Sequence, residues 1–172
     1  MDSFTDVYVR NLRKALAEST EGRPLPGAAD LLQWIDGHPG LYAGIATGNF
    51  RCCALLKLEH FGLIEHISEG GFGDGLLRRV DVVAAAARRC EEAFGEVFDG
   101  EDVFVVGDMP HDIEAGRVNG FRTIGVATGS SSHGDLAAHQ PTLLLPDLTV
   151  AIPTMASMLS VPEWSGFMGG LA

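Results

Sequence analysis

The sequence predicts an α/β fold in which a parallel sheet is flanked by helices. Two observations carry that prediction. Short apolar runs rich in β-branched residues alternate with longer stretches whose apolar residues recur at helical spacing, which is the pattern of strands joined by crossover helices. One of these runs, Val103 to Val106, ends abruptly in Gly107-Asp108-Met109-Pro110-His111-Asp112. That is a strand, a turn and a helix start, the join at which open α/β sheets place their chemistry. The run reads as a strand buried on both faces. Pro110 suits the first turn of a helix, where the amide it lacks would be unpaired in any case.

Composition narrows the class. With 172 residues, 46% of them hydrophobic, the chain is long enough for one domain with a sizeable core. No apolar run approaches the ~20 residues of a membrane span. The first residues, Met1-Asp2-Ser3-Phe4-Thr5-Asp6, lack the basic-then-apolar order of a signal peptide. Cys52, Cys53 and Cys90 have no metal-type spacing, so free thiols in a reducing cytoplasm are expected. A formal net charge of -11 argues against nucleic acid and anionic membrane as partners.

The elements follow in order. Residues 6–18 carry Val9, Leu12, Ala15 and Leu16 on one face of an amphipathic helix, and a turn-rich connector runs through Pro24-Leu25-Pro26-Gly27. A second helix has Ala28, Leu31, Leu32 and Ile35 on one side, with Gly37 placed to end it in a left-handed cap. Leu41 to Ala46 is a strand candidate closed by Thr47-Gly48-Asn49, and a helix over about 50–60 is stopped by Gly62. A short strand is expected over 64–69, then the glycine-rich loop Gly70 to Gly75. The longest helix is expected at 79–94, with Val80, Val83, Ala84, Ala87 and Cys90 on its apolar face and Gly95 as its cap. After the Val103 strand and its helix come strands at 122–126 and 142–145 and a last helix around 150–159. The end, 161–172, is glycine-rich and expected to be flexible.

Three strand ends are candidates for chemistry. In Thr47-Gly48-Asn49, a hydroxyl beside the backbone amides of a helix start suits a phosphate oxygen; an ordinary turn with a capping side chain would look the same. Arg78-Arg79 precedes the long helix, where a planar guanidinium could clamp a phosphate or simply sit in solvent. Asp108 and Asp112 share one rim and would suit Mg²⁺, while Asp112 is also placed as a carboxylate at a helix N-terminus. His111 lies between the two acids and differs from the other five histidines only in that address.

Taken together, these motifs resemble the haloacid dehalogenase-like hydrolases, and within them the phosphoglycolate-phosphatase-like branch. The resemblance runs over residues 7–160, through Pro24 to Gly27, Thr47-Gly48-Asn49, Phe72-Gly73-Asp74 with Arg79, Val106 to Asp112, and Gly125 to Gly129. It implies a Rossmann-like sheet and a Mg²⁺-dependent phosphomonoesterase working through a phosphoaspartyl intermediate on a small phosphorylated metabolite. In that likeness Thr47 holds the transferring phosphoryl group, with Gly48 and Asn49 as substrate-binding neighbours. Arg79 steadies the phosphate charge, and Asp108 and Asp112 are the metal acids. Residues 1–22 correspond to the end of a helical cap and its linker, and 23–160 to the core.

One part of the pattern is missing. The family places an Asp-x-Asp nucleophile motif after a first strand, ahead of the Pro24 region, and the 23 residues here read as a helix instead. The likeness therefore implies a sheet without its first central strand and a chain that is inactive alone. It also implies a seam between the strand ending at Thr47 and the strand ending at Asp108. Either those strands pair directly, or another segment fills the gap, or the isolated chain is marginal in stability; self-association through the exposed seam is a separate expectation. A non-catalytic phosphate- or protein-binding role is the alternative function. A receiver-type module, also doubly wound, would need acids at the end of its first strand, and none is there.

Overall fold

The computed structural model describes residues 4–19, 22–67, 69–129 and 131–161. Expectations for 162–172 lie outside these residues.

The observed elements are α1 (Phe4–Glu18), α2 (Ala28–Asp36), β1 (Gly44–Ala46), α3 (Arg51–His60), β2 (Glu69–Gly71), α4 (Arg79–Phe94), β3 (Phe104–Gly107), α5 (Pro110–Val118), β4 (Arg122–Val126), α6 (His133–Ala138), β5 (Leu143–Leu145) and α7 (Ala151–Leu159). All strand pairs are parallel, as expected for strands linked by helices. The strands fall into two sheets rather than one. β1 pairs with β2, and β3, β4 and β5 pair in that order.

The best-formed core lies on the larger sheet. Ile124 and Val126 of β4 and Leu145 of β5 pack against Leu31 and Trp34 of α2 and Ala151, Met155 and Ala156 of α7. On the other face of β4, Thr123 and Gly125 lie against α5 and α6, with Ile113, Ala115 and Leu136 all almost fully buried. This alternation along β4 is what a strand covered on both faces requires. α4 packs on β1 and β2, α5 packs on β3 and β4, and the two helices pack on each other. The helix pair thus spans the break between the sheets.

Several expectations are corrected. Gly37 ends α2 with right-handed geometry (φ -75), while the left-handed glycine is Gly27 at the other end of that helix (φ 84). A left-handed C-cap is one of several ways to end a helix, and here the Gly37 amide reaches Gln33 O and Ile35 O without it. The strand expected over 64–69 is a 3-10 turn at Ile64–His66, and the strand itself is Glu69–Gly71. Backbone packing overrides the poor strand propensity of glycine there. A Cβ on Gly71 would stand 1.9 Å from Val82 O, and one on Gly70 2.1 Å from Ile45 O.

On α4 the buried face is Val82, Val83, Ala85, Ala86 and Cys90, so the helix is rotated from the expected face and Ala84 points outward. His38 is buried, and its Nδ1 lies 2.7 Å from Trp34 O. Finally, β3 is not buried on both faces: Val106 is 41% exposed while its register partner Ile124 is 1% exposed. The reason is that β3 has a hydrogen-bonded neighbour on one side only.

Candidate active-site rim

The candidate residues follow the carboxyl ends of β1, β2 and β3. The first group, Thr47-Gly48-Asn49, follows β1. Thr47 Oγ1 accepts from the Asn49 amide at 3.2 Å and from Asn49 Nδ2 at 2.8 Å. Both lone pairs of the hydroxyl are then occupied, so its proton is directed to a third group. Lys57 Nζ donates to Asn49 Oδ1 at 3.3 Å from the next turn of α3 and orients that side chain. Asn49 was expected at this site; Lys57 was not, and the signal for it was its place two turns into the following helix.

The glycine-rich loop after β2 braces the first loop. Gly73 N donates to Asn49 O at 2.9 Å, and a Cβ on Gly73 would fall 2.1 Å from Gly48 O. Asp74 Oδ2 accepts from Arg51 N at 2.6 Å and so caps α3. Two amides that the sequence left available for an anion are therefore engaged, Asn49 N by Thr47 and Arg51 N by Asp74. In this loop the Thr47 hydroxyl still has its proton to donate, while the Asn49 and Arg51 amides are engaged.

The third group comes from α4 and α5. Arg79 Nε donates to Asp112 Oδ1 at 2.7 Å, with the Asp112 side chain 5% exposed. Asp112 Oδ2 accepts from the Met109 amide at 3.3 Å, the reach-back bond of a helix start. Arg78, by contrast, points into solvent, 3.9 Å from Asp81. Of the two arginines, Arg79 is the one turned toward Asp112. His111 is 54% exposed, with Nε2 3.6 Å from Asp112 Oδ1. Asp108 sits against the loop after β4, where a Cβ on Gly129 would lie 1.8 Å from Asp108 Oδ2. Beside it Thr128 Oγ1 is buried without a hydrogen-bond partner, a rim group the sequence did not single out.

The residues present do not by themselves fit a divalent cation. Each Asp112 oxygen accepts one hydrogen bond and keeps a further lone pair, and Asp108 is the second acid. Among the described residues no group of three or more His, Cys, Asp or Glu side chains could hold a metal. Mg²⁺ demands near-octahedral oxygen coordination, and two carboxylates of which one is paired to arginine fall short of it.

Residues 81–151 match the model of the HAD-hydrolase-like family. Among solved structures, a hydrolase from Pseudomonas syringae aligns at 21% identity and a TM-score of 0.69, covering 90% of this chain and 70% of that one. A predicted phosphoglycolate phosphatase from Haemophilus somnus aligns at 19% and 0.66, covering 88% and 63%. A HAD family hydrolase from Deinococcus radiodurans, solved with bound phosphate and sodium, aligns at 19% and 0.65, covering 92% and 69%. No curated protein matches the chain in sequence. Residues 81–151 are thus similar to the HAD-hydrolase-like family, and the chain shares the fold of these haloacid dehalogenase-like structures. It is similar to the phosphoglycolate-phosphatase-like branch and spans about two thirds of the length of these relatives. No helix among the described residues is long and apolar enough to cross a membrane.

Proposed function

We propose that this chain carries the phosphate-gripping part of a haloacid dehalogenase-like phosphomonoesterase, and that these 172 residues alone do not turn over a substrate. The observation that carries the first half is Thr47. With both lone pairs filled by Asn49, its hydroxyl can act only as a donor, and a phosphoryl oxygen at the end of β1 is the acceptor it suits. Arg79 supports it from α4. Nε is spent on Asp112, and the outer guanidinium nitrogens are left to meet anionic oxygen. The second half rests on the absence of an Asp-x-Asp pair after an apolar strand anywhere in the chain. Without a carboxylate nucleophile no phosphoaspartyl intermediate forms.

On this reading the ligand is a small phosphorylated metabolite and the compartment the cytoplasm. A Mg²⁺ ion would need oxygen ligands beyond Asp108. Two measurements test the proposal. Inorganic phosphate at millimolar concentration is expected to raise the melting temperature, since a ligand at ten times its Kd adds about 1.4 kcal/mol. Thr47→Ala is expected to abolish the rise. No shift with phosphate would remove the binding half. In the second, the purified chain with Mg²⁺ and p-nitrophenyl phosphate is expected to show no turnover above buffer, and turnover that Asp108→Asn abolishes would overturn the claim of inactivity.

A further inference from the structure

Lys57 reaches the rim from α3, the helix that follows the Thr47 loop, and its side chain is half-buried there. Nζ donates to Asn49 Oδ1 at 3.3 Å, and among the described residues this is its one hydrogen bond. An ammonium carries three donors and no acceptor, so the Asn49 atom it meets is the carbonyl oxygen. With Oδ1 held at Lys57, Nδ2 is the end of the amide left for Thr47, and it donates to Oγ1 at 2.8 Å. Gly73 N donates to Asn49 O at 2.9 Å and fixes the backbone of the loop. The open variable is then the side-chain amide alone.

The opposite orientation of that amide has a definite consequence. Turned over, it fills the same space with oxygen and nitrogen exchanged. Oδ1 would then face Thr47 Oγ1, the hydroxyl would donate to it, and its proton would be spent inside the loop. In the observed orientation the hydroxyl accepts from both Asn49 nitrogens, from N at 3.2 Å and from Nδ2 at 2.8 Å, and the proton is left for a ligand. Turning the amide over would also set Nδ2 against the Lys57 ammonium. Donor would face donor, and neither would be satisfied.

We propose that Lys57 is a positioning residue: by holding the Asn49 amide one way round, it makes the Thr47 hydroxyl a donor to the ligand and not to its own loop. The effect travels through a neutral amide, so it requires no contact between Lys57 and the ligand. A hydroxyl fixed in this way favours a ligand group that only accepts hydrogen bonds, as the dianion of a phosphomonoester does, over one that donates. The proposal rests on the reading of Thr47 as the hydroxyl that grips phosphate and carries it one residue further from the ligand, to the group that sets the direction of the proton.

The first measurement needs no ligand. In the isotope-labelled whole chain, the Asn49 side-chain amide protons are expected to show nuclear Overhauser contacts to the Thr47 side chain. Lys57→Met is expected to shift these amide resonances and weaken the contacts. Lys57→Gln, whose amide can accept as well as donate, is expected to do the same, and Lys57→Arg to preserve them. Unchanged amide resonances in Lys57→Met and Lys57→Gln overturn the proposal. The second measurement is the binding of inorganic phosphate at constant ionic strength. Lys57→Met is expected to weaken it about tenfold, the scale of one hydrogen bond to a charged group, and Lys57→Arg to restore most of the loss. In an Asn49→Ala background Lys57→Met is expected to cost nothing further, because the amide that carries its effect is gone. An equal loss in that background would show that the lysine acts as a bare charge, and overturns the proposal. Failure of the unsubstituted chain to bind phosphate removes the reading of the rim instead, and the amide resonances then decide the role of Lys57 on their own. They also decide it where the Asn49→Ala chain binds too weakly to measure.

Discussion

Arg79 Nε lies 2.7 Å from Asp112 Oδ1, joining residues 33 positions apart and the first turns of α4 and α5. The bond holds together the two helices that roof the break between the sheets, so it connects halves that no strand pairing connects. Removing Arg79 leaves a carboxylate that is 5% exposed without its cation. Arg79→Ala is expected to cost about 3 kcal/mol, the scale for breaking one side of a buried pair. Arg79→Lys should cost less, because it keeps the charge but loses the planar Nε donor. In urea unfolding, Arg79→Ala and Asp112→Asn together should destabilise by clearly less than the sum of the two single changes. Additive losses would show that the two side chains act independently.

Gly129 keeps Asp108 in place by having no side chain. A Cβ there would stand 1.8 Å from Asp108 Oδ2, closer than any contact allows. Gly129→Ala is therefore expected to turn Asp108 away from its present position and to cost about 1–3 kcal/mol, as overpacking does. A crystal structure of the variant with Asp108 unmoved, together with an unchanged urea midpoint, would contradict this.

The helices were the legible part of the fold. Residues 79–94 are α4 to the residue, because the apolar spacing is long, the start is an extended Arg78 and Gly95 supplies a left-handed cap (φ 69). β2 was misplaced because its residues, Glu69-Gly70-Gly71, have the composition of a loop, and their strand geometry follows from closeness to β1 and α4. The break between sheets was legible as a set of alternatives, and the structure removes one of them, direct pairing of β1 with β3. At the rim, the residue types of Thr47, Asp108 and Asp112 stood out. Which of Arg78 and Arg79 turns inward did not, since that depends on the rotation of α4 against α5. The Asp112 ion pair was hidden for the same reason.

Gly71 offers a direct check on that account of β2. A Cβ at this position would lie 1.9 Å from Val82 O and 2.9 Å from Ala86 N, both backbone atoms of α4 that cannot rotate away. Gly71→Ala is expected to destabilise by about 3 kcal/mol, at the upper end of overpacking costs. The substitution also favours strand over loop by propensity, so a neutral or stabilising result would mean that close approach of α4 is not what sets this strand.

The three thiols should separate by reactivity and leave a mark on alkaline stability. Cys52 is exposed, while Cys53 and Cys90 are buried. Burial pushes the Cys53 thiol up, and its hydrogen bond with Cys52 adds to the rise. Burial likewise raises Cys90, with the nearby Glu69 carboxylate contributing. Iodoacetamide at pH 8 is expected to label Cys52 first, with Cys53 and Cys90 modified only on the timescale of unfolding. The same shifts fix a sign. Between the unfolded thiol pKa of about 8.5 and the raised folded values, the folded chain holds protons the unfolded chain has lost. These thiols then lower stability as pH rises through that window and leave it unchanged below. Replacing Cys90 by Ser, a group that does not titrate there, should flatten part of the decline in urea midpoint from pH 8 to pH 10. A decline just as steep in Cys90→Ser would assign it to other groups.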